Sequence, residues 1–130
     1  MAEHAIHFWR KSSNTTVFNN TIEDSNRCIS FGLDDAPNNQ TKGGLITNKI
    51  IKNWNPSHQF TDVYINLEAR PDIQIINNSV FIEGNYPNAI EHPFTATKNN
   101  LLKNNVTNKS IVSRGGVQAD LSSNLLPGDV

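Results

Sequence analysis

Short apolar runs recur along the whole chain, separated by Asn-rich polar stretches, and within each run apolar and polar residues alternate. A period of two is the mark of half-buried strands; helical spacing is absent throughout. One phrase returns five times: an Asn, any residue, then a branched aliphatic residue. It reads Asn20-Thr21-Ile22, Asn48-Lys49-Ile50, Asn78-Ser79-Val80, Asn104-Asn105-Val106 and Asn124-Leu125-Leu126. The intervals between these Asn residues are 28, 30, 26 and 20. An imperfect repeat of this length predicts stacked supersecondary units with loops of varying size.

Each unit is predicted to hold two strands. The first strands read Ala5-Ile6-His7-Phe8, Cys28-Ile29-Ser30-Phe31, Val63-Tyr64-Ile65-Asn66-Leu67, Ala89-Ile90-Glu91-His92 and Ile111-Val112-Ser113. Alternation places Ile6, Ile29, Val63, Ile90 and Ile111 inward. His7, Ser30, Tyr64, Glu91 and Val112 then form one outward row, with Trp9, Gly32, Asn66, Pro93 and Arg114 beside it. The second strands carry the Asn phrase. Asn suits the bends because it tolerates left-handed backbone and bonds its own chain. Stacked Asn side chains can also bond from coil to coil as a ladder.

The stretches Thr16-Val17-Phe18-Asn19-Asn20-Thr21-Ile22, Ile73-Gln74-Ile75-Ile76-Asn77-Asn78-Ser79-Val80 and Leu101-Leu102-Lys103-Asn104-Asn105-Val106 resemble those of right-handed parallel β-helix repeat proteins, the pectin-lyase-like group. The resemblance implies an all-β fold: a single-stranded right-handed parallel β-helix of about five coils, one domain over residues 1–130. Members of that group usually have more coils, an N-terminal cap and a longer C-terminal extension. The expectation is therefore either a fragment of a longer protein or a homo-oligomer that covers its open coil ends by self-association.

Composition narrows the function classes. The chain has 130 residues and a formal net charge of −1, with its basic residues scattered, so no nucleic-acid footprint is read. Cys28 is the only cysteine, which excludes an intrachain disulfide and a cysteine zinc cluster. No apolar run reaches membrane-spanning length and no signal peptide is read at the N-terminus; the compartment stays open. The four His show no zinc-ligand spacing, so no metal site is assigned to them. Asp34, Asp35 and Asn38, in a long loop, have the oxygen ligands a Ca²⁺ ion takes.

What the resemblance implies about activity is a polysaccharide lying along the first-strand sheet, bound by a lyase-like or hydrolase-like protein. A lyase needs an electrophile and a base, and Tyr64, Glu91 and His92, on neighbouring coils, are the catalytic candidates. Trp9, Asn66, Glu68, Arg70 and Arg114 are the substrate-binding candidates; Trp offers a stacking face and Arg a bidentate hold on a uronate. Glu68 with Glu91 is the carboxylate pair a hydrolase would use. His7 and Arg114 lie four coils apart, roughly 19 Å at ~4.8 Å per coil, too far to act on one atom. The alternative is a non-enzymatic structural or interaction module of a surface or phage-tail protein. An exposed Trp54 would signal ligand contact.

Overall fold

A computed structural model describes residues 3–32, 42–54, 61–116 and 118–129. Thirteen short strands form three parallel sheets, and each of the first four coils contributes one strand to each sheet. The first sheet stacks β1 (Ile6–Phe8), β4 (Ile29–Phe31), β7 (Ile65–Leu67), β10 (Asn88–Glu91) and β13 (Ser110–Val112) in that order. The second stacks β2 (Ser13–Phe18), β5 (Lys42–Thr47), β8 (Ile73–Ile76) and β11 (Leu101–Lys103). The third stacks β3 (Thr21–Glu23), β6 (Ile50–Asn53), β9 (Ser79–Ile82) and β12 (Val106–Thr107). Bridges from Leu101 to Asp120 and from Val106 to Leu125 carry the second and third sheets into a fifth coil. The fold is an all-β parallel β-helix of about five coils, and no described residue is helical.

The coil holds three strands where the sequence suggests two. Second and third strands are separated by a two-residue bend whose first residue has a positive φ: Asn19 (53°), Asn48 (53°), Asn77 (58°) and Asn104 (54°). Asn accepts this left-handed backbone at low cost. The second residues of the bends stack in register as a ladder of Asn20, Asn78, Asn105 and Asn124, with Lys49 in the second coil's place. Asn78 Nδ2 donates to Asn105 Oδ1 at 2.9 Å, and Asn105 Nδ2 donates to Asn124 Oδ1 at 2.9 Å. The Asn phrase therefore marks the ladder at Asn20, Asn78 and Asn124. At Asn48 and Asn104 it marks the residue before it.

The core fills the bore between the sheets. Ile6, Ile29, Ile65, Ile90 and Ile111 stack in one inward row. Val17, Ile46, Ile75 and Leu102 do so from the second sheet, and Ile22, Ile51 and Val80 from the third. Each fully buried aliphatic side chain among them contributes about 1.5–3 kcal/mol by leaving water, and the partly buried Ile6 and Ile111 at the two ends contribute less. Ile65, not Val63, occupies the third coil's place in the first row. The apolar run Val63-Tyr64-Ile65 offers two inward registers, and the strand begins only at its last residue.

Candidate functional site

Most of the candidate residues lie at the outward face of the first sheet. Its registered row is His7, Ser30, Asn66, Glu91 and Val112. Two residues further along each coil come Trp9, Gly32, Glu68, Pro93 and Arg114. The third coil is thus shifted by two residues from the sequence reading: Asn66 stands where Tyr64 was expected, and Glu68 where Asn66 was.

Tyr64 does not face solvent. It lies in the bend before β7, fully buried within the hydrophobic core, and its hydroxyl accepts a hydrogen bond from Asn53 Nδ2. Burial raises its pKa, with the Asn53 bond acting in the opposite direction. His92 is also buried, its pKa lowered by burial, and its Nδ1 has no hydrogen-bond partner among the described residues. Glu91 is on the outward row but is sealed. Its Oε1 accepts from Tyr86 Oη at 2.7 Å and from Asn88 Nδ2 at 2.7 Å, and its Oε2 lies 2.9 Å from Arg114 Nε. Burial, followed by the Glu91 contact, pushes the Tyr86 phenol above its ordinary range, so the proton stays on the tyrosine. The expectation that Tyr64, Glu91 and His92 share one solvent-facing spot is therefore corrected: Tyr64 and Glu91 occupy opposite sides of the sheet, and all three are shielded.

The substrate-binding candidates divide. Trp9 is 48% exposed and the Arg114 side chain 54% exposed. Glu68 is half-buried, and Asn66 Nδ2 donates to its Oε1 at 2.7 Å. Desolvation raises the Glu68 pKa, while the Asn66 bond and the Arg27 and Arg70 guanidiniums pull it down. Arg70 is fully buried and structural: Nη1 donates to the Ala69 carbonyl at 3.0 Å and Nη2 to the Trp9 carbonyl at 3.1 Å. This tie spans from the third coil to the first. It crosses Gly32 (φ +104°), where a Cβ would sit 2.2 Å from the Glu68 carbonyl oxygen and 2.7 Å from Arg70 Nε. Arg114 opens onto a cleft of about 390 Å³ formed with Pro93, Phe94, Thr95 and Gly115.

At the first coil, His7 Nε2 lies 2.6 Å from the Gly32 carbonyl, and Trp9 Nε1 donates to His7 Nδ1 at 2.5 Å. The two bonds define the tautomer: Nε2 carries the proton and Nδ1 the lone pair. Glu3 Oε2 lies 3.8 Å from that Nδ1, and the His4 ring packs 4.8 Å from the His7 ring. Burial first, then the neighbouring His7 and Arg27, hold the His4 pKa down to about 4, against an opposing pull from Asp62. Sequence reasoning passed over His4, Tyr86 and Asn88. His4 and His7 three residues apart were the available signal for the first; the other two are recruited from outside the repeat phrase.

On the third sheet, Trp54 is 50% exposed beside Phe81, with ring centres 5.5 Å apart. An apolar groove of about 330 Å³ runs past Phe81, Val106, Leu125 and Pro127. The Ca²⁺ candidates Asp34, Asp35 and Asn38 lie outside the described residues. No protein-family model matches this sequence, and comparison with curated proteins and with solved structures finds no match.

Proposed function

We propose that this protein binds an extended polysaccharide along the outward face of its first sheet, in the manner that the likeness to pectin-lyase-like β-helices suggests. The observation that carries the reading is the row Trp9, Glu68 and Arg114: an exposed indole, a half-buried carboxylate and an exposed guanidinium along one sheet. Successive coils rise about 4.8 Å, close to the advance of an extended sugar chain per residue. Trp9 supplies a stacking face at one end. At the other, Arg114 keeps donors beyond the one facing Glu91, enough to hold a uronate carboxylate. The burial of Tyr64, Glu91 and His92 favours binding without cleavage at this face.

Affinity electrophoresis against a panel of neutral and acidic polysaccharides, followed by calorimetry, tests the reading. Trp9→Ala should weaken binding at least tenfold, and Arg114→Ala should weaken acidic polymers selectively. Retention by no polymer, or binding indifferent to both substitutions, overturns it.

A second reading has its own support. In the described residues, β1, β2 and β3 each pair on one side only, leaving a strand edge at the first coil. Such edges pair readily with another chain, so self-association through coil ends is the interaction-module reading. Light scattering after size exclusion decides it: a discrete oligomer supports this second reading and a monodisperse monomer removes it.

A further inference from the structure

We propose that Glu3, His4 and His7 form a binding site for a divalent transition metal, with Zn²⁺ the ion their chemistry fits best. One ligand atom from each of the three lies within 4.8 Å of the others. Two imidazoles and one carboxylate are a ligand set that Zn²⁺ takes in tetrahedral sites with one position left open. At ligand bonds of 2.0–2.2 Å, tetrahedral neighbours stand roughly 3.3 Å apart. The 3.8 Å between Glu3 Oε2 and His7 Nδ1 closes to that by a small rotation of Glu3, whose side chain is 68% exposed.

Two further observations are independent of the proximity. His7 Nε2 is held by the Gly32 carbonyl, leaving Nδ1 as the lone-pair nitrogen on the side of Glu3, where a metal would take the place of the Trp9 indole N–H it now accepts. Orientation of a ligating imidazole by a backbone carbonyl on its other nitrogen is the usual support around a protein-bound metal. Second, His4 Nε2 is buried with no hydrogen-bond partner among the described residues. A buried polar atom left unpaired costs free energy, and a metal bond would remove that cost. The charges around the site balance to leave it receptive. Glu3 and Asp62 are acidic, and the Arg27 guanidinium that acts on His4 is itself ion-paired to Asp62. The site is separate from the proposed glycan row except at the Trp9 to His7 contact.

Zn²⁺ added to the purified chain, followed by calorimetry and by NMR of the histidine rings, tests the proposal. One ion per chain should bind saturably, with the His4 and His7 ring signals shifting and those of His58 and His92 unmoved. His4→Ala and His7→Ala should each weaken binding at least a hundredfold, and Glu3→Gln about tenfold. Absence of saturable binding up to ~1 mM Zn²⁺, shifts centred on His58 or His92, or binding that needs His4 but not His7 would each overturn it. Should a histidine variant fail to fold, the ring shifts on the unmodified chain and the exposed Glu3→Gln substitution decide the question.

Discussion

Asn78→Ala should be among the most destabilising single substitutions in this chain. The Asn78 side chain is buried, and its amide makes contacts in three directions. Oδ1 accepts from the Lys49 backbone N–H at 3.1 Å. Nδ2 donates to the Ile46 carbonyl at 3.0 Å, to the Ile76 carbonyl at 3.1 Å and to Asn105 Oδ1 at 2.9 Å. Truncation orphans the buried Lys49 N–H and removes the two amide hydrogens shared among three acceptors. One orphaned buried group costs about 1–3 kcal/mol, and the thinned acceptors add to it, so the sum is about 3–4 kcal/mol. With an m-value near ~2 kcal/mol/M in urea, the unfolding midpoint falls by roughly 1.5–2 M. Asn77, one residue earlier, is exposed at φ 58° and does its work through backbone alone. Asn77→Gly should therefore change stability by no more than about 0.5 kcal/mol. A loss under ~1 kcal/mol for Asn78→Ala at unchanged m-value would refute the view that the ladder amide is a principal fastening between coils.

Lys49 interrupts that ladder: it is buried, donates through Nζ to Asn20 Oδ1, and burial lowers its pKa from 10.5 to about 8. Between those values the unfolded chain binds the proton and the folded chain does not, so stability should rise as pH goes from about 8 to 10.5. Urea midpoints across that window should show the rise in the native chain and its loss in Lys49→Asn, which also completes the ladder. Gly32→Ala should cost at least about 3 kcal/mol, because the new Cβ meets backbone and guanidinium in a left-handed conformation. Gly116→Ala, with φ +73° but open space around it, should cost only about 1–2 kcal/mol by the same denaturation assay.

The coil repeat is legible in the sequence because each bend needs a residue that tolerates positive φ, followed by one that bonds the neighbouring coil. Asn serves both purposes, so the doublets Asn19-Asn20, Asn77-Asn78 and Asn104-Asn105 stand out. The third strand of each coil is hidden because it is as short as the two residues Val106–Thr107 and follows the second after only a two-residue bend. Period-two alternation cannot separate strands that close together. Side-chain direction fails where a residue sits at a corner, as Tyr64 does: parity along a strand says nothing about a residue outside it. Glu91 shows a different limit. Its parity is right, yet Tyr86 and Asn88 fold over it, and tertiary neighbours of that kind leave no periodic trace. Arg70 reads as a ligand-binding side chain by type, but it donates to the carbonyl oxygens of its neighbour Ala69 and of Trp9 two coils away.

Trp9 joins the two proposed sites and makes them separable by experiment. His7 Nδ1 offers a single lone pair, which accepts the Trp9 indole N–H in this structure. A metal ion taking that lone pair must displace the indole, which then loses the contact that fixes its plane. If a sugar stacks on that indole, Zn²⁺ should weaken glycan binding, and by thermodynamic linkage the glycan must weaken Zn²⁺ binding by the same factor. The measurement is a pair of titrations, each with the other ligand absent and then saturating. Equal factors in both directions would tie the glycan to Trp9 and the metal to His7 Nδ1 at once. Two ligands that bind independently would mean that at least one of them does not use this contact. Trp9→Ala and Glu3→Gln then tell which: the first should weaken glycan binding at least tenfold and, by freeing His7 Nδ1 of the indole, strengthen rather than weaken Zn²⁺ binding, whereas the second should weaken only the metal.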